Sequence, residues 1–255
     1  MARGFVFSKT LAPGQIMITR RKTAALEPLE REGFRVGADN KKAVRESGVV
    51  ILAVTPKQMP ALIKEIAPVL ELARHTVISV ASGVSIEEIK KLAGKSIAVV
   101  RAMPNTAVAI GESMTCLSAH ETTPQKTLDT AAALFGGVGK TLVIEEDQMV
   151  PATALCACGI AFFLRAIRAA SQGGIQISFH ASEALMMAAQ TAKGAAALLL
   201  SSANHPETEI DKVTTPQGCT IAGLNQMEHE GFGSALIKGI VVSAEKAASL
   251  YKNNK

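Results

Sequence analysis

The chain has 255 residues, 48% hydrophobic and 19% charged, which excludes a disordered segment, a collagen-like repeat and a disulfide-stapled miniprotein and leaves room for two modest domains. Its net charge is +5, but only Arg20-Arg21-Lys22 forms a basic cluster and aromatics are 4%, so no base-stacking nucleic-acid surface is expected and a small anionic ligand fits better. The four cysteines (Cys116, Cys156, Cys158, Cys219) and five scattered histidines lack metal-ligand spacing, so no metal site is expected.

The first part of the chain alternates short apolar, β-branched runs with helical patterns. The runs lie at 15–19, 49–54, 76–80, 97–102 and 141–144, with weaker ones at 34–36 and 114–117. Helical stretches at 22–32, 60–72 and 85–92 separate them. This alternation predicts a mostly parallel βαβ sheet.

After Glu145-Glu146-Asp147 the strand-like runs stop and Ala- and Met-rich helical patterns take over. The expected division is therefore an α/β domain over 1–147 and an all-helical domain over 148–255. Helices are expected at 148–171 and 180–202 and from about 220 and 233, with Pro206 and Gly218 marking loops. The helix at 183–200 is apolar around most of its circumference, which predicts subunit association. The uncharged run at 148–164 contains Pro151 and small polar residues, so it reads as a buried helix rather than a membrane span. The start, Met1-Ala2-Arg3-Gly4-Phe5-Val6-Phe7, is too interrupted for a signal peptide, and a reducing cytoplasm is the expected compartment.

Three strand ends carry proline turns or small residues that admit a dinucleotide: Ala53-Val54-Thr55-Pro56, Ala81-Ser82-Gly83 and Met103-Pro104-Asn105. Each alone is an ordinary strand-to-helix turn; three in succession point to a cofactor cleft. Arg20 and Arg21 follow the first run where an NAD-binding domain would carry an acid, so they suit the 2′-phosphate of NADP, a solvated basic helix start being the alternative. Further on, Val213-Thr214-Thr215-Pro216-Gln217-Gly218-Cys219-Thr220 runs into an apolar helix whose free N–H groups suit a carboxylate. The same threonines could instead cap that helix.

These motifs resemble pyrroline-5-carboxylate reductase. Arg101-Ala102-Met103-Pro104-Asn105-Thr106 with Gly111-Glu112-Ser113-Met114-Thr115 is similar to one run of that family. Val213-Thr214-Thr215-Pro216-Gln217-Gly218-Cys219-Thr220-Ile221-Ala222-Gly223-Leu224 is similar to its signature. The resemblance implies a Rossmann-type domain, an all-α dimerisation domain, and NAD(P)H-dependent reduction of the imine of 1-pyrroline-5-carboxylate to L-proline, the last step of proline biosynthesis. NADPH is the favoured cofactor and NADH possible. It also implies that Gly218, Cys219 and Thr220 hold the substrate carboxylate, that the Thr220 hydroxyl serves the ring nitrogen, and that Ala53, Thr55, Pro56, Ala81, Met103 and Asn105 line the cofactor cleft.

The chain departs from that pattern in three places. Cys156-Ala157-Cys158-Gly159-Ile160-Ala161-Phe162 stands where the family has Ser-Gly-Ser-Gly-Pro-Ala-Tyr, and Gln217 and Cys219 replace a glycine and a threonine. Met1-Ala2-Arg3-Gly4-Phe5 resembles the second half of the family's first helix, so the first strand and its G-x-G-x-x-G turn are missing and weak dinucleotide binding is expected. A non-catalytic, truncated paralogue acting as an oligomeric scaffold is the alternative function. A hydroxyacid dehydrogenase would want a lysine within 158–168, and none is there.

Overall fold

The computed structural model describes residues 1–202 and 204–252. The chain forms two compact units: Met1–Cys158 together with the stretch from Ser243, and Gly159–Val242.

The first unit opens with α1 (Ala2–Phe7) and continues β1 (Met17–Thr19), α2 (Glu27–Arg31), β2 (Arg35–Gly37), α3 (Asn40–Arg45), β3 (Val49–Leu52) and α4 (Met59–Ile66). It goes on through β4 (Thr76–Ser79), α5 (Ile86–Ala93), β5 (Val99–Met103), β6 (Ser113–Ala119), α6 (Gln125–Gly136), β7 (Gly139–Val143) and the short α7 (Met149–Ala152). The weaker runs at 34–36 and 114–117 are strands β2 and β6. Two helices, α3 and α6, fall where no helix was expected. In α6 only Thr127, Ala131 and Phe135, four residues apart, are buried, and two of the three are too small or polar to stand out in a hydropathy pattern.

β1 and β2 form a parallel pair, and β3-β4-β5-β6-β7 form a five-stranded sheet in chain order. Every pairing in the larger sheet is parallel except β5 with β6. The fold is thus an α/β domain with a mostly parallel sheet, as the alternation of runs predicts. On one face, Val77 and Val99 pack with Ile63 and Ile66 of α4 and Ile86 and Ile89 of α5. On the other, Ile78, Val100 and Leu117 pack with Phe5 of α1 and Phe135 of α6, whose rings meet edge to face at 5.8 Å. Gly4 lets α1 lie against the backbone of the segment after β5: a Cβ there would stand 1.9 Å from the Val108 carbonyl oxygen.

The helices of the second part are α8 (Gly159–Gln176), α9 (Ala181–Ser202), α10 (Pro206–Lys212), α11 (Cys219–His229) and α12 (Phe232–Lys252). The helix expected over 148–171 lies within a continuous helical stretch, Glu146–Gln176, in which α7 passes through a π-helical turn, Thr153–Cys158, into α8. Within it the Thr153 hydroxyl donates to the Met149 carbonyl at 2.7 Å, a local bond of the sort that bends helices. Pro206 starts α10 rather than marking a loop, since a proline's fixed φ and missing N–H suit the first helical position.

Burial also differs from expectation. In α8 only Gly159 and Ser171 are buried, and in α9 only Ala184. Phe163 and Leu164 of α8 and Met186 and Leu200 of α9 stand exposed, Leu200 at 81%. Two stretches, Glu146–Gln176 and Ala181–Ser202, are long and apolar enough to cross a membrane by length and composition alone. The run at 148–164 is thus buried only in its first part, where Met149, Ala152 and Ala154 enter the core, while Leu155, Phe163 and Leu164 stand exposed.

Candidate functional site

Parallel pairing brings the carboxyl ends of β3, β4 and β5 to one edge of the five-stranded sheet. Ala53, Thr55 and Pro56 follow β3, Ala81 follows β4, and Met103 and Asn105 end and follow β5. All six cleft candidates therefore share that edge. Because β6 runs antiparallel to β5, its first residue, Ser113, also lies there, and the Asn105 N–H donates to the Ser113 hydroxyl at 3.2 Å.

The polar side chains at this edge are already engaged. Thr55 donates to Gln58 Oε1 from its hydroxyl at 2.9 Å and from its N–H at 3.2 Å. Asn105 Oδ1 accepts the Ala107 N–H at 3.0 Å, and Asn105 Nδ2 donates to the Cys156 carbonyl at 3.4 Å. Ala81 and Met103 are buried, and Met103 Sδ lies 4.0 Å from the Ser82 hydroxyl. What the edge offers a ligand is fixed backbone and small side chains.

Arg20 and Arg21 immediately follow β1, which belongs to the two-stranded sheet. Both are exposed, and among the described residues neither pairs with a carboxylate. Guanidinium groups without a carboxylate partner are able to donate to a phosphate.

The remaining candidates sit at the start of α11, in the second unit. Gly218 is its N-cap and no side chain caps it, so the Cys219 and Thr220 N–H groups in the first turn stay available. The threonines do not cap this helix: the Thr214 hydroxyl turns back to the Ile210 carbonyl at 2.7 Å. Gln217 takes φ of 58°, and the Gly218 N–H donates to the Thr215 carbonyl at 2.9 Å. A Cβ on Gly218 would meet Thr215 Oγ1 at 2.5 Å and its carbonyl oxygen at 3.0 Å. The loop thus requires glycine at 218 and tolerates a side chain at 217 only in a strained conformation. An uncapped helix start behind a tight turn is an anion cradle.

Two relationships escape sequence reasoning. Glu146 reads as part of a charged boundary, yet its Oε1 accepts both Arg101 Nη1 at 3.1 Å and the Ile86 N–H at 2.8 Å. Cys116 and Cys156 lie forty positions apart in sequence, and their sulfurs stand 4.0 Å apart. Nothing in local spacing signals either pairing.

Comparison with known proteins follows the same division. Residues 1–83 match a family described as NADP oxidoreductase, coenzyme F420-dependent, and residues 146–250 match the pyrroline-5-carboxylate reductase dimerisation family. Pyrroline-5-carboxylate reductase 2 of Dictyostelium discoideum is 44% identical over 97% of this chain and 88% of its own length. Pyrroline-5-carboxylate reductase 1 of the same organism is 53% identical over 98% of this chain, which spans about half (47%) of that protein's length. Among solved structures, a pyrroline-5-carboxylate reductase from Coxiella burnetii matches with a TM-score of 0.87 and 28% identity, over 98% of this chain and 93% of its own. The Plasmodium falciparum pyrroline carboxylate reductase with NADP bound shares the fold, with a TM-score of 0.84 at 20% identity over 98% and 92%.

Proposed function

This chain belongs to the pyrroline-5-carboxylate reductase family, and on that premise we propose that it reduces the imine of 1-pyrroline-5-carboxylate to L-proline with NADPH. The observation that carries the substrate reading is the uncapped start of α11, where the Cys219 and Thr220 N–H groups follow a tight turn that has room only for glycine at 218. The Cys219 and Thr220 N–H groups, with Gly218 shaping the turn, hold the substrate carboxylate at the positive end of the helix. The Thr220 hydroxyl hydrogen-bonds the ring nitrogen, which makes the imine carbon a better hydride acceptor and orients it.

The nicotinamide supplies the hydride when bound. Arg20 and Arg21 favour NADPH over NADH, because two guanidinium groups without acidic partners attract a 2′-phosphate. Ala53, Thr55, Pro56, Ala81, Met103 and Asn105 provide the backbone edge along which the dinucleotide lies. We take 1–147 as the cofactor domain and 148–255 as the dimerisation and substrate domain. The exposed apolar faces of α8 and α9, within a stretch that matches a dimerisation family, support a homodimer or larger homo-oligomer rather than a membrane span.

The test is NADPH oxidation on addition of pyrroline-5-carboxylate. We expect turnover by the full chain and a fall in kcat of roughly 100-fold in Thr220→Ala, with partial recovery in Thr220→Ser. A chain that assembles into oligomers but shows no turnover would favour the scaffold reading.

A further inference from the structure

The proposed reaction makes no use of two neighbouring thiols, Cys116 and Cys156. Below the sheet edge, Met103, Met114, Cys116, Met149 and Cys156 pack together with Ile144, Ala152 and Ala157. Within this sulfur-rich cluster the Cys116 and Cys156 sulfurs are 4.0 Å apart, the only two thiols within hydrogen-bonding reach among the described residues. They differ in setting. Cys116 is held on β6 and buried, opposite Met103 of β5, whereas Cys156 is half-buried on the π-helical turn.

We propose that Cys156 and Cys116 are a thiol modification site, with Cys156 oxidised by a hydroperoxide and Cys116 resolving the product to a reversible disulfide. The Cys156 thiolate attacks the distal peroxide oxygen. The O–O bond breaks, the distal oxygen stays on sulfur with its hydrogen as a sulfenic acid, sulfur being oxidised by two electrons, and the departing alkoxide takes from water the proton that Cys156 released on ionising and leaves as an alcohol. The Cys116 sulfur then attacks the Cys156 sulfur; the hydroxyl leaves and takes up the Cys116 proton as water, and the S–S bond forms. A dithiol reductant returns both thiols.

The setting favours this order of events. A hydrogen bond from Cys116 outweighs the opposing effect of burial and holds the Cys156 thiol down to about 7, while that same hydrogen bond, then burial and the Cys156 charge, push Cys116 up so that it keeps its proton. Bonding requires the sulfurs to close from 4.0 Å to about 2 Å. The π-helical turn is the element able to supply that movement, since it departs from the regular α-helical ladder that holds α8 rigid. The change would reach Asn105, whose amide donates to the Cys156 carbonyl.

The experiment treats the full chain with tert-butyl hydroperoxide, blocks free thiols and maps disulfides by peptide mass spectrometry. We expect a peptide pair joining Cys116 to Cys156 as the main product, lost on dithiothreitol treatment. In Cys116→Ser the sulfenic acid should persist at Cys156 and be trapped by dimedone, and Cys156→Ser should slow peroxide-dependent thiol loss roughly tenfold or more. Bridges dominated by Cys158 or Cys219, or equal dimedone labelling in the wild type and Cys116→Ser, would overturn the proposal. The wild-type map decides the matter even where a variant fails to fold, and it does not depend on whether the chain reduces pyrroline-5-carboxylate.

Discussion

Arg101, buried in the centre of the sheet, donates from Nη1 to Glu146 Oε1 at 3.1 Å, and the same oxygen accepts the N–H of Ile86 at the start of α5. One carboxylate therefore ties β5, the α5 N-terminus and the segment entering α7 together. Because the Arg101 side chain is only 7% exposed, removing its partner strands a buried cation. Glu146→Ala should destabilise the first unit by about 2–3 kcal/mol in urea unfolding. Glu146→Gln should cost about half as much, since the amide oxygen still accepts the Ile86 N–H. Equal losses in the two variants would mean that charge on Glu146, not hydrogen bonding, matters.

The Gly218 turn links binding to folding. Gly218→Ala places a Cβ 2.5 Å from Thr215 Oγ1 and 3.0 Å from the Thr215 carbonyl oxygen, so the turn must shift. We expect KM for pyrroline-5-carboxylate to rise roughly tenfold and stability to fall by about 1–2 kcal/mol in thermal unfolding. At the preceding position, Gln217→Gly relieves a left-handed conformation and should stabilise the protein by about 0.5 kcal/mol after its greater unfolded-state entropy is subtracted.

Cofactor choice provides a third test. If Arg20 and Arg21 hold the 2′-phosphate, the double substitution Arg20→Ala with Arg21→Ala should raise the KM for NADPH by roughly 10–100-fold and leave that for NADH nearly unchanged. Parallel increases for both cofactors would assign these arginines to general electrostatics. Direct titration by nicotinamide fluorescence measures the affinity for each cofactor separately from turnover.

Close packing makes Gly139 a structural position. Its φ is 148°, and a Cβ there would lie 2.0 Å from the Ser113 carbonyl oxygen. Gly139→Ala should cost about 3 kcal/mol or more and prise β7 from β6, giving an early unfolding transition by circular dichroism.

Assembly can be tested on α9. Met186 is 67% exposed on a helix with one buried residue, so Met186→Glu should shift the protein toward monomer in light scattering while the monomer keeps its helical signal. An unchanged mass would exclude that face from the interface.

By itself, the sequence determined the alternation of strands and helices, the change of texture near residue 147 and the two motif runs that mark the family, because these depend on short-range periodicity and on residues adjacent in the chain. It also placed Gly218, Cys219 and Thr220 at a helix start, since proline and glycine punctuate locally. It found the helix at 148–171 but not the π-helical turn inside it, which depends on hydrogen-bond geometry that composition does not encode. It overlooked α6, whose buried face is made of small residues. Only the tertiary structure decided that β6 reverses against β5, that Glu146 serves Arg101 and Ile86 at once, and that Cys116 meets Cys156. Those contacts join residues tens of positions apart, and no local pattern records which distant side chains a folded sheet will bring within a few ångströms.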